Sequence, residues 1–236
     1  MSARGGERLK MIKIVVFDSG YGGENFADKL EQELKIADII RVIDWRHADI
    51  IQSSAKDARK CAEQALAAYI GKVNLIIFAN YLLSTTSLNY FRRKYQDQKF
   101  IGLQLEHPCS FTKKDALILA TKAITKTIGF HSFTHKLKPN FHTKTLMLDS
   151  WPSKIDDGEL QIGEIKECFG RSVMVDNFSP SKVIIACSQF NDIIPELKQV
   201  LGSNIEICNG TRETISEMYK TLKLRGGICK RSSVLK

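Results

Sequence analysis

The feature that most constrains this chain is a series of short, β-branched apolar segments. Each closes on small or polar residues, and most are followed by a stretch of helical periodicity. Ile12–Phe17 has the composition of a strand covered on both faces of a sheet, and it runs into Asp18-Ser19-Gly20-Tyr21-Gly22-Gly23. Phe26, Leu30 and Leu34 then recur at helical spacing. Further strands are predicted at Ile39–Ile43, Val73–Phe78 and Phe100–Leu105, with an alanine-rich helix over 55–70. The alternation restarts at Ala116–Ala120 and continues through Thr145–Leu148, Val183–Ala186 and Ile205–Cys208, with helices near 158–169, 193–201 and 211–224. Alternation of this kind predicts parallel sheets with right-handed crossovers. The restart predicts two successive α/β units.

Ligands of open parallel sheets bind beyond the carboxyl ends of the strands. Here those ends are Asp18-Ser19, Asp44, Ala79-Asn80, Glu106, Thr121, Cys187-Ser188 and Asn209-Gly210. Asp18–Gly23 is neither GxGxxG nor a Walker loop, which leaves a tight strand-to-helix turn or an anion cradle whose glycines permit positive φ and close backbone approach. Cys187 closes a buried strand ahead of a helix, where N–H groups would lower a thiol pKa and Ser188, Asn191 and Asp192 could cap. The alternative is a buried structural cysteine. Cys61 and Cys168 fall on helices, Cys208 on a strand and Cys229 in the tail, while Cys109 follows His107 in a connection. Asp156-Asp157, beside a glycine, reads as a solvated turn. His131 and His135 have i, i+4 spacing without the flanking carboxylate of a zinc helix, so no metal site is expected.

With 236 residues, 43% of them hydrophobic, the chain can bury a substantial core. Its net charge of +9 would draw in an anionic substrate or adhere weakly to nucleic acid or acidic membranes. Zinc-finger spacing and RNA-recognition signatures are lacking, so a nucleic-acid partner is not expected and the basic surface reads as solvated. The six cysteines form no CxxC pair. Without a signal-peptide pattern or a run of transmembrane length, a cytoplasmic protein with free thiols and no membrane partner is expected.

Four segments together resemble the aspartate/glutamate racemase superfamily, and glutamate racemase in particular. Ile14–Gly23 (IVVFDSGYGG) is similar to that family's first strand and Asp-Ser-Gly-x-Gly-Gly loop. Leu75–Ser84 (LIIFANYLLS) is similar to the segment of its first catalytic cysteine, and Ala116–Thr127 (ALILATKAITKT) to the opening of its second half. Val183–Gly202 is similar to the strand, second catalytic cysteine and helix.

The resemblance implies two pseudo-symmetric Rossmann-like or flavodoxin-like parallel-sheet domains with the site in the cleft between them. The first would comprise 11–106 plus 210–225 and the second 107–209, with flexible ends at 1–10 and 226–236. It further implies a homodimer, no cofactor, and cysteine proton transfer at the α-carbon of an acidic amino acid or related carboxylate. Cys187 and Asp18 are then the catalytic candidates. Ser19, Asn80, Tyr81, Ser188, Gln189 and Thr121 are the substrate-binding ones. Ala79 stands at the first cysteine position, Tyr81 replaces a threonine, Gln189 replaces a histidine, and a Pro-Tyr-Gly segment is absent after Asp44. The acidic residue of the second domain has its counterpart at Asp157. Three readings follow: a racemase or isomerase, a one-cysteine enzyme of the arylmalonate decarboxylase type, and a catalytically inactive metabolite-binding homologue.

Overall fold

A computed structural model of the chain describes residues 11–35, 37–48, 50, 54–105, 115–137, 142–174, 178 and 180–224. The ends expected to be flexible, the junction at 106–107, and Glu106, His107, Cys109 and Cys229 lie outside the described residues.

Two four-stranded parallel sheets form. The first contains β1 (Ile12–Asp18), β2 (Ala37–Ile43), β3 (Leu75–Phe78) and β4 (Phe100–Gly102), in the order β2-β1-β3-β4. The second contains β5 (Ala116–Ala120), β6 (Thr143–Met147), β7 (Lys182–Ile185) and β8 (Glu206–Cys208), in the order β6-β5-β7-β8. The same winding is thus used twice. The most apolar runs take the inner positions: every residue of β3, β5 and β7 is buried, Lys182 of β7 in an ion pair with Glu206, whereas the edge strands β2 and β6 are half-exposed.

The helices are α1 (Tyr21–Glu33), α2 (Ala55–Leu66), α3 (Tyr81–Thr86), α4 (Leu88–Lys94), α5 (Lys122–Thr125), α6 (Ile128–Leu137), α7 (Trp151–Asp156), α8 (Ile162–Met174), α9 (Ile194–Leu201) and α10 (Thr211–Leu222). Short 3-10 turns occupy Trp45–His47 and Ser188–Asn191. None of the helices among the described residues is long and apolar enough to cross a membrane.

One continuous apolar cluster includes Ile14, Leu75 and Ile101 of the first sheet, Ile118 and Ile184 of the second, and Met218 of α10. Separate clusters cover the outer faces, around Phe17, Phe78 and Phe91 in one case and around Trp151, Phe169 and Phe190 in the other. The last helix returns to the first sheet, where Thr214 Oγ1 accepts from the Gln104 N–H (3.0 Å) and the Thr221 carbonyl from Lys99 Nζ (3.1 Å). At the return point, Gly210 has φ +65° and packs on Gln104, so a Cβ there would fall 1.6 Å from the Gln104 carbonyl oxygen.

The expected strands and helices are present with their ends shifted by a few residues. Sequence periodicity misses α3 and α4, whose Ser/Thr-rich stretch is held helical by Asn80: its Oδ1 accepts from the Leu83 N–H at 3.0 Å. It also misses α5, α6 and α7. The last places Pro152 in its first turn, where the missing N–H costs nothing. The helix expected from 158 starts at Ile162, because Gly158 adopts φ +71° and breaks the chain direction.

Candidate active site

The carboxyl ends of β1, β3, β5 and β7 bring the candidate residues together. Asn80, Tyr81, Thr121, Cys187, Ser188 and Gln189 line one narrow cavity, with Leu82 and Ile124 completing its wall. Its volume is about 20 Å³, room for about one water molecule. Ala79 is fully buried in the core between the sheets.

Asp18 is fully buried at the end of β1. Its Oδ1 accepts from the Ser19 N–H (2.7 Å) and from Asn80 Nδ2 (3.0 Å), while Oδ2 is buried without a hydrogen-bond partner. Burial carries this carboxyl up to about 7; the Asn80 and Ser19 donors oppose the rise and the nearby Asp156 adds to it. Asn80 thus spends its amide oxygen on capping α3 and its amide nitrogen on holding Asp18. Ser19 Oγ is likewise buried and unpartnered.

Cys187 is a free thiol, 7% exposed. Its Sγ donates to Gln189 Oε1 at 3.1 Å, and Ser188 Oγ donates to the same oxygen at 3.2 Å. The thiol pKa is raised, not lowered as expected from the helix position. Burial pushes the group well above its usual range, and the negative charges of Asp18 and Asp156 push the same way, outweighing the Gln189 and Phe190 backbone N–H groups. An acceptor oxygen facing the sulfur also favours the S–H form. The expected side-chain caps of the following helix do not form: α9 begins after Ile193 with no side-chain cap.

The glycine-rich loop also departs from expectation. None of Gly20, Gly22 and Gly23 adopts positive φ. Their lack of a side chain serves close packing instead: a Cβ on Gly23 would lie 2.4 Å from Asp18 Cβ, and one on Gly22 would lie 2.4 Å from Ser188 Cβ. A Cβ on Gly20 would meet Gln189 Nε2 at 2.8 Å and Asp156 Oδ2 at 3.0 Å.

Asp156 is the residue that sequence reasoning missed. The solvated-turn reading is wrong for it, because it ends α7 and its Oδ1 is buried. Burial raises it to about 6; the Tyr21 N–H and the Gln189 side chain pull it down and Asp157 pushes it up. Asp157, by contrast, is exposed. Of the two carboxylates, it is therefore Asp156 and not Asp157 that faces Gln189 and Gly20. The signal that could have found it is Trp151-Pro152, a buried anchor with proline at a helix start.

Beyond the loop, Asn25 Nδ2 of α1 donates to Asp192 Oδ1, and Tyr81 Oη donates to the Asn209 carbonyl at 2.5 Å. Where the Pro-Tyr-Gly segment would stand, Trp45 packs edge-on against Tyr21, with centroids 4.6 Å apart. Among the described residues no cluster of His, Cys, Asp and Glu could hold a metal ion.

No family model matches the chain. A glutamate racemase of Clostridium novyi (strain NT) is 21% identical over 219 residues, covering 91% of this chain and 85% of that protein. The Escherichia coli glutamate racemase in complex with L-glutamate and the activator UDP-MurNAc-Ala superposes with a TM-score of 0.79 at 18% identity, over 95% of this chain and 87% of that one. That of Francisella tularensis subsp. tularensis SCHU S4 in complex with D-glutamate gives 0.74 at 20% identity, over 90% and 81%.

Proposed function

Starting from the fold of the aspartate/glutamate racemase superfamily, which this chain has, we propose that it moves a proton at the α-carbon of an acidic amino acid or a closely related carboxylate, without a cofactor. One observation supports the reading: the Cys187 thiol lines the inner cavity and the buried Asp18 carboxyl lies near enough to act on it electrostatically. Residues 11–106 with 210–225 are taken as one unit and 107–209 as the other.

The chemistry divides between the two groups. Asp18, near 7, is substantially ionised at neutral pH and can accept the α-proton. The electron pair left on carbon spreads into the substrate carboxylate, which Thr121 and Ser188 of the cavity lining would hold. Cys187, kept as S–H, returns a proton to that carbon, and Gln189 orients the thiol. The protonated thiol also favours a second reading, one-sided protonation of an enolate left by decarboxylation.

The test is α-proton exchange into deuterated water over D- and L-amino acids, read by NMR and chiral chromatography. Exchange with inversion in the parent, abolished by Cys187→Ala and by Asp18→Asn, is the expected result. Exchange unaffected by Cys187→Ala would overturn the reading. Activity confined to Ala79→Cys would mark the natural protein as a binder, and loss of CO₂ from a malonate would favour the decarboxylase.

A further inference from the structure

The narrow cavity around Cys187 adjoins a much larger cleft, and Leu82 and Thr121 line both spaces. The outer cleft measures about 740 Å³, within the range of sites that enclose drug-sized ligands. One wall is α3 together with Ala55, and the other is α5 with the residues after it and with Asp149 and Ser153.

Its polar groups are unequal. Thr85, Thr86 and Thr127 donate their hydroxyls to the carbonyls of Tyr81, Leu82 and Ile124. Asp149 receives the Lys122 backbone N–H at 2.6 Å. The ammonium groups of Lys122 and Lys126 have no ion-pair partner among the described residues, whereas Lys94, Lys154 and Lys182 are each paired with a glutamate. Positions 122 and 126 are four residues apart and so share one face of the helical turn. Ile128, 87% exposed, adds an apolar surface beside them.

We infer that the outer cleft is a second anion subsite, and that the substrate is an elongated amino acid. Its α-carbon would reach Cys187 while a distal carboxylate or phosphate group lies between Lys122 and Lys126. The assignment rests on the function proposed above and adds the substrate's length and its second charge. An apolar spacer fits the stretch past Leu82, and the two cations supply what the inner cavity, lined by uncharged side chains, does not.

Calorimetric titration of the full chain with aspartate, glutamate, aminoadipate and aminopimelate tests this, because the second carboxylate moves out by one methylene at each step. The expected result is affinity that rises along the series by about tenfold or more. Lys122→Gln/Lys126→Gln should lose about tenfold for the longest member. Affinity that is flat or falling with length, or unchanged in the lysine variant, overturns the inference. Proton exchange is read separately: its absence, with the binding trend intact, would defeat the catalytic reading and leave the subsite standing.

Discussion

Gly22 and Ser188 touch across the cleft so closely that a methyl group on Gly22 would also fall 2.6 Å from the Ser188 carbonyl carbon and 2.8 Å from its oxygen. No rotamer relieves a clash with backbone, so Gly22→Ala must push the start of α1 away from the Cys187 segment. A loss of about 2 kcal/mol in urea unfolding is expected, the usual scale for overpacking. A variant as stable as the parent would mean that the two halves separate freely at this point.

The raised carboxyl of Asp18 sets a pH dependence. Its folded value of about 7 exceeds the unfolded value near 3.9, so between those limits the folded state holds a proton that the unfolded chain has released. Stability therefore falls as pH rises from about 4 to about 7 and levels off above that. Asp156 and Asp192, each near 6, add in the same direction. Asp18→Asn should flatten this slope and stabilise the protein at pH 7.5 by on the order of 2 kcal/mol. Urea midpoints measured from pH 4.5 to 8 check both expectations.

Tyr81 is clasped to the segment where the chain returns to the first sheet, through its hydroxyl on the Asn209 carbonyl. Tyr81→Phe removes that donor and should cost about 1 kcal/mol. Because Tyr81 also lines the inner cavity, proton exchange should change with it. A change in unfolding without any change in exchange would limit Tyr81 to a structural role.

Thiol reactivity should follow burial rather than helix position. Cys168 is half-exposed, whereas Cys187, Cys61 and Cys208 are buried. Under native conditions at pH 8, iodoacetamide should label Cys168 at least about tenfold faster than Cys187, since only accessible thiolate reacts. Peptide mapping by mass spectrometry gives the order, and rapid labelling of Cys187 would mean a lowered thiol pKa after all.

What was legible in the sequence follows from the range over which each signal acts. The inner strands β1, β3, β5 and β7 declare themselves because a strand covered on both faces must be apolar throughout. Asp18, Asn80, Thr121 and Cys187 were findable because each closes such a strand. Asp156 was not, because its burial depends on Gly20, more than a hundred residues away, leaving room for its carboxylate. The direction of the Cys187 shift was misjudged for a related reason. Local N–H groups are visible in sequence, but burial and the charges of Asp18 and Asp156 come from other segments. Helix α3 escaped notice because Ser84, Thr85 and Thr86 look like loop residues, until their hydroxyls are seen to bond back to carbonyls within the turn.

The return of α10 to the first sheet bears on how the protein is made. Met218 is fully buried in the same cluster as Ile14, Leu75 and Ile101, so the core that β1 begins is closed by a helix synthesised about two hundred residues later. Until α10 emerges, the surface that it covers stays open to solvent on the nascent chain, and the first sheet lacks that wall.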